Sequence, residues 1–325
     1  MSVGTTPVDA AIEAGRPRVF RYHLAIFIAL FIFLLVAPSF FSTIFLMKVL
    51  CYTLFVSAFN LLLGFGGLLS FGHAAFFGAA SYICAYSAKK WGFSPELAVL
   101  TGALTAAILG AAIGSLAIRR QGIYFAMVTL AFAQMVYFVC LQAPFTGGED
   151  GIQAVPRGRL FGVVDLSGDR ALYYFVFGVI FIGLLFIYRV VHSPFGQILK
   201  AVRQNEPRAI SLGYRVNRYK LGVFVLSATL AGLAGAIEAL VFQLASLEDV
   251  CWTTSGEVIL MTLLGGMGTI FGPIVGAAVI VSMQNYLVGL GDKIIAIQGV
   301  IFMLAVLLFR EGVVGLIARW LKKSL

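Results

Sequence analysis

The chain has 325 residues, of which 61% are apolar and 11% charged, with a formal net charge of +9. At a mean hydropathy of +0.99 it carries more apolar surface than a soluble core of this size can bury. Lipid is therefore the expected solvent, a soluble globular domain is excluded, and nucleic acid is not an expected partner.

Residues 1–22 are polar and lack the apolar core and cleavage site of a secretory signal, so they are expected to form a cytoplasmic N-terminal tail. The apolar run over about 24–41 is the first expected span, and 43–63 the second. Asn60 to Tyr82 reads NLLLGFGGLLSFGHAAFFGAASY, in which Gly64, Gly66, Gly67 and Gly72 interrupt the helix. In lipid such a break survives only where protein or a water-filled cavity satisfies the freed backbone, so Gly64, Gly67, Gly72 and His73 are candidate pathway or helix-break residues. Close helix packing through glycine is the alternative reading.

The next expected span, 96–117, places Gly102, Ala106, Gly110 and Gly114 on a small-residue stripe suited to helix contact. Arg119 and Arg120 end it on the cytoplasmic side, and a span over 122–141 follows. Residues 142–171 read as an outer loop, and 172–188 as a span leading to a basic stretch at 189–220. A further span over 221–242 repeats the small-residue spacing with Ala228, Gly232 and Ala236. The acidic connection 243–257 is expected outside.

Residues 258–289 are too long for one untilted span and contain GGMGTIFGP, so two passes or two half-helices meeting at Gly265, Gly266 and Gly268 are expected. The last expected span is 293–309, followed by a basic cytoplasmic tail at 311–325. The fold class is thus all-α: a polytopic transmembrane bundle over 23–310, with about ten crossings and both termini cytoplasmic. Lys89 and Lys90 fall outside in this topology, against the charge rule, and are expected to snorkel. The segment 62–80 faintly echoes 263–278. Charge within spans is confined to Lys48 and Glu238, the latter near an outer helix end where headgroups could solvate it.

The basic stretch has helical grammar. Phe195, Ile198, Leu199 and Val202 share one apolar face, leaving Gln197, Lys200, Arg203 and Gln204 on the other. Asn205 is a cap for a second short helix with Pro207 in its first turn and Gly213 at its stop. A solvated loop and a docking surface for a cytoplasmic partner both fit this pattern. The four cysteines and three histidines are scattered, and HExxH, GxSxG and GxxxxGK[ST] are absent, so no catalytic, metal or cofactor site is expected on the chain.

Five motifs, in order over about 45–310, resemble permease subunits of branched-chain amino acid ABC importers, and the LivM-type more than its LivH-type sister. They are the Asn60–Tyr82 segment, YFAMVTLAFAQM (124–135), TGGEDGI (146–152), the basic stretch 196–221 and LLGGMGTIFGP (263–273). The resemblance implies a plasma-membrane protein of a bacterium or archaeon, in the inner membrane if Gram-negative. It also implies a second permease subunit, two ATPase subunits that hold ATP and Mg, and a periplasmic or surface solute-binding protein. The implied cargo is a branched-chain amino acid; urea, a short amide or another hydrophobic acid is the alternative within the class. A stand-alone secondary transporter is a further alternative, disfavoured by the scarcity of acids and histidines deep in the spans. In such permeases a short cytoplasmic helix enters a cleft on the ATPase. The matching segment here gives Arg203, Asn205, Glu206, Ala209, Leu212 and Gly213 as the coupling residues implied.

Overall fold

The computed structural model describes residues 25–162 and 164–287, with isolated positions 297, 299, 300, 303, 312, 314 and 315. But for those positions, the expected crossing over 293–309 and both expected tails lie outside the described residues. Among the described residues eleven helices follow one another: α1 (Ala25–Ser39), α2 (Thr43–Phe65), α3 (His73–Lys90), α4 (Pro95–Ala117), α5 (Ile123–Gln142), α6 (Asp169–His192), α7 (Pro194–Gln204), α8 (Glu206–Ser211), α9 (Val216–Phe242), α10 (Trp252–Gly265) and α11 (Gly272–Leu287). Among them α2, α4, α5, α6 and α9 are long and apolar enough to cross a membrane, while α1 and α11 are apolar but shorter.

The central helix is α9, which packs on α2, α3 and α4. The two small-residue stripes read from the sequence face each other. A β-carbon on Gly102 would lie 2.8 Å from that of Ala236, and one on Gly110 would lie 2.6 Å from that of Ala228. On α9, Gly232 lies equally tightly against Ala106. Lipid gives helices no hydrophobic reason to associate, so this backbone approach is what van der Waals attraction requires.

Both glycine breaks turn the chain back on itself. Phe55 of α2 stacks on Phe77 of α3 at 4.3 Å between centroids, and Phe59 meets His73 edge-on, so α2 and α3 form a hairpin. Likewise α10 and α11 run antiparallel, with no room for a side chain on Gly265 beside Gly272 or on Gly276 beside Met261. At 1.5 Å per residue, the 14 residues of α10 extend about 21 Å, short of a 30 Å hydrocarbon core. The second of the alternatives expected over 258–289 is therefore modified: short helices pack side by side rather than meeting end to end.

The basic stretch is shorter as a loop than its charge suggests. Helix α6 runs on to His192 and α9 begins at Val216, so Arg189, Arg218 and Lys220 belong to the long helices. Long cationic side chains let an apolar helix continue into the headgroup zone without ending. At the opposite end of α9, two-residue strands close the bundle: β1 (Ile152–Gln153) pairs antiparallel with β4 (Leu244–Ala245), and β2 (Arg159–Leu160) with β3 (Val164–Asp165). Strands this short carry no sequence period.

Candidate functional site

The two hairpin turns touch at the end of the bundle that carries α7 and α8. Helix α2 ends in a π-helical turn over Leu61–Phe65, a widening often found at functional positions. Asn60, just before it, is 2% exposed. Its side-chain amide donates to the Thr269 carbonyl at 2.8 Å, and its carbonyl oxygen accepts from the Gly268 N–H at 2.9 Å. One side chain therefore satisfies a donor and an acceptor that the second turn would otherwise leave unpaired in an apolar setting. A side chain on Gly64 would run into Asn60 and the Gly268 backbone. Gly268 has φ +80° and Gly266 φ +121°, so the second turn is built from non-helical backbone.

Helix α7 lies against this junction. Ser193 caps it, accepting from the Gly196 N–H at 3.4 Å, and no β-carbon fits at Gly196 beside the Val190 and Val191 carbonyls, where the chain swings from α6 into α7. Leu199 and Val202 are buried, and Phe195 and Ile198 half-buried, on the inward face read from the sequence. Two cations of α7 reach the break. The Lys200 ammonium sits 5.5 Å from the centroid of the Phe65 ring, and burial there lowers its pKa below the usual lysine range. The Arg203 guanidinium donates to the Gly64 carbonyl. That oxygen ends the π turn, where no backbone N–H in the helix reaches it. The Arg203 stem lies against Gly67, whose φ is +71° and whose β-carbon would lie 2.9 Å from Arg203 Cγ.

Helix α8 is short and capped at both ends, as its sequence requires. Asn205 Oδ1 accepts from the Arg208 N–H at 3.1 Å. At the other end, Gly213 has φ +86°, its N–H donating to Ile210 and that of Tyr214 to Ala209, a Schellman closure. Glu206 anchors the helix: its carboxylate meets the Lys220 ammonium of α9 at 2.7 Å and accepts from Gln121 at 3.3 Å.

The expected coupling residues thus divide by position. Asn205 and Gly213 shape α8, and Glu206 fastens it to the bundle. Ala209 does not face outward: it is 3% exposed and packs with Val202, Val216 and Ile198, because only a small residue fits between α8 and its neighbours. Arg203 is on the outer rim of α7, yet its head group turns into the chain. The outward apolar pair is Ile210 and Leu212, 58% and 69% exposed. Beside them, a cleft of about 420 Å³ is lined by Phe195, Gly213, Tyr214, Arg215, Arg218 and Tyr219.

The glycine-break candidates also separate. Gly64, Gly67, Gly265, Gly266 and Gly268 gather at the junction. Gly72 opens α3 and packs on the Thr129 carbonyl of α5. His73 is fully buried, with Nε2 2.8 Å from Ser227 Oγ. Ser227 donates its one proton to the Ala58 carbonyl at 2.5 Å, so Nε2 carries the histidine proton. His73 is therefore a brace between α3, α9 and α2. Sequence reasoning passed over Asn60; a lone amide closing an apolar span just before a glycine run was the available signal.

Residues 41–310 match the family described as the permease component of the branched-chain amino acid transport system. The chain belongs to this family. It is similar to the high-affinity branched-chain amino acid transport system permease protein LivM of Escherichia coli, 28% identical over 68% of this chain and 58% of that one. A probable LivM of Methanocaldococcus jannaschii is 28% identical over 51% of this chain and 49% of its own length. The ribose import permease protein RbsC of Bacillus subtilis is 29% identical over 51% of each. The chain therefore spans about half the length of the LivM relatives in these alignments. No solved structure matches it significantly. As a branched-chain amino acid permease-family member with five span-length helices among the described residues, it is a multi-pass protein of the cell membrane. The matched region contains both glycine turns and the whole of α7 and α8.

Proposed function

We propose that this chain is a pathway-forming permease subunit of an ATP-driven ABC importer for branched-chain amino acids. A second permease subunit completes the pathway, two ATPase subunits dock on the cytoplasmic face, and a solute-binding protein delivers the cargo from outside. The observation that carries this reading is the family match over 41–310, a range that includes α8. Helix α8 is capped at both ends, tied to α9 through Glu206, and presents Ile210 and Leu212 outward. A short stiff helix can transmit a rigid-body movement.

Ribose and fructose import permeases are also among the relatives, which makes a pentose or hexose the second cargo to test. Reconstitution with cognate ATPase and binding-protein subunits decides between them. ATP-dependent accumulation of labelled leucine, isoleucine or valine, and none of ribose, is expected. Accumulation of ribose without the amino acids would replace the cargo, and co-purification of the chain without any ATPase would remove the importer reading.

A further inference from the structure

The basic face of α7 looks like a docking surface for a partner, but its last cation is already engaged within the chain. The Arg203 guanidinium donates to Gly64 at the end of the π turn, its stem lies over Gly67, and its Nη1 lies 3.4 Å from where a β-carbon on Gly268 would stand. Gly64 and Gly268 belong to different hairpins, which are otherwise held together here by the two Asn60 hydrogen bonds. Arg203 thus touches both turns from the helix that leads directly, through Asn205, into α8.

We propose that Arg203 is a positioning residue that carries movement of the docking elbow α7–α8 to the junction of the two glycine turns, rather than a contact to the ATPase. This rests on the importer reading above. The physical case has three parts. A charge-assisted hydrogen bond to a carbonyl with no helical donor is stronger than one between neutral groups, and the Gly64 backbone that accepts it is buried. Its loss leaves Gly64 unpaired, so a displacement of α7 has an energetic consequence at the turn itself. Glycine at 67 allows the arginine stem to lie directly on backbone, so elbow and turn are in direct contact. When α7 shifts, the Gly64 carbonyl is uncapped, and the two turns keep the Asn60 hydrogen bonds and their own backbone contact.

The test uses the full importer in proteoliposomes, with Arg203→Met, which keeps most of the stem and removes the donors, and Arg203→Lys, which keeps one donor group. For Arg203→Met, the ATPase subunits are expected to co-purify as in the wild type, while substrate moved per ATP hydrolysed falls several-fold. Arg203→Lys is expected to recover part of that ratio. A merely structural role would lower transport and ATP hydrolysis in proportion and leave the ratio unchanged, which would overturn the proposal. Loss of ATPase co-purification in the methionine variant would also overturn it, by making Arg203 a docking contact. Amide hydrogen exchange on the wild-type complex tests the same point without substitution. Residues 64–71 are expected to lose protection when ATP binds, and unchanged protection would contradict the proposal. Failure of the importer reading is seen separately, as absence of ATP-dependent uptake by the wild type.

Discussion

Gly213 and Gly178 should respond in opposite ways to a side chain. Both have open space where a β-carbon would go, but Gly213 holds φ +86° while Gly178 lies inside α6 with helical backbone. A β-carbon at Gly213 costs about 1 kcal/mol, too little to unfold the bundle but enough to re-aim α8. Gly213→Val is therefore expected to reach the membrane at wild-type levels, with uptake and substrate-stimulated ATP hydrolysis both reduced. Gly178→Ala should leave melting temperature and uptake unchanged or raise the former slightly. Asp249, in the turn between α9 and α10, adds a pH signature. Burial pushes its carboxyl up to about 6, against the Ser246 N–H and Lys48, which favour the anion. A carboxyl raised in the folded state binds its proton more readily there, so its contribution to stability grows as pH falls from 7 through 6 and levels off below the ordinary carboxylate value. The wild type should gain thermal stability between pH 7.5 and pH 5 relative to Asp249→Asn; parallel shifts in the two proteins would contradict this. At this scale the sequence was partly legible. The caps Asn205 and Gly213 could be read because capping chemistry is local. The inward turn of Arg203 could not, since a cation on a basic helix looks the same whether it faces a partner or a carbonyl 139 positions away.

Among the elements, the α4–α9 contact is the strongest constraint. Its two stripes were visible because small residues at i+4 spacing have one common use in lipid, close backbone approach. That they face each other is a long-range fact no local period contains. Gly110→Leu would force leucine into Ala228 and push α9 away from α4. It is expected to abolish a stable, monodisperse protein in detergent, whereas Leu104→Ala, at a position 57% exposed on the same helix, should not. The breaks after α2 and α10 were legible as breaks from glycine alone. Their mutual contact depends on Asn60, and the extension of α6 and α9 into the basic stretch depends on long cationic side chains, Lys220 being paired with Glu206, neither of which has a periodic signature.

For the molecule as a whole, we propose from charge asymmetry that α7, α8 and the junction lie on the cytoplasmic side. A cysteine at Gln204, which is exposed on α7, should be blocked in intact cells only by reagents that cross the membrane; labelling by an impermeant reagent would reverse the orientation. The central claim is that this chain forms a pathway driven by ATPase subunits acting through α8. Its most direct test is uptake of labelled leucine into proteoliposomes holding the chain, its partner permease and the ATPases, with binding protein and substrate outside and ATP within. The account expects accumulation that requires ATP and binding protein together and is strongly reduced by Gly213→Val at equal protein content. Accumulation that proceeds equally without ATP, or that Gly213→Val leaves unchanged, would contradict it.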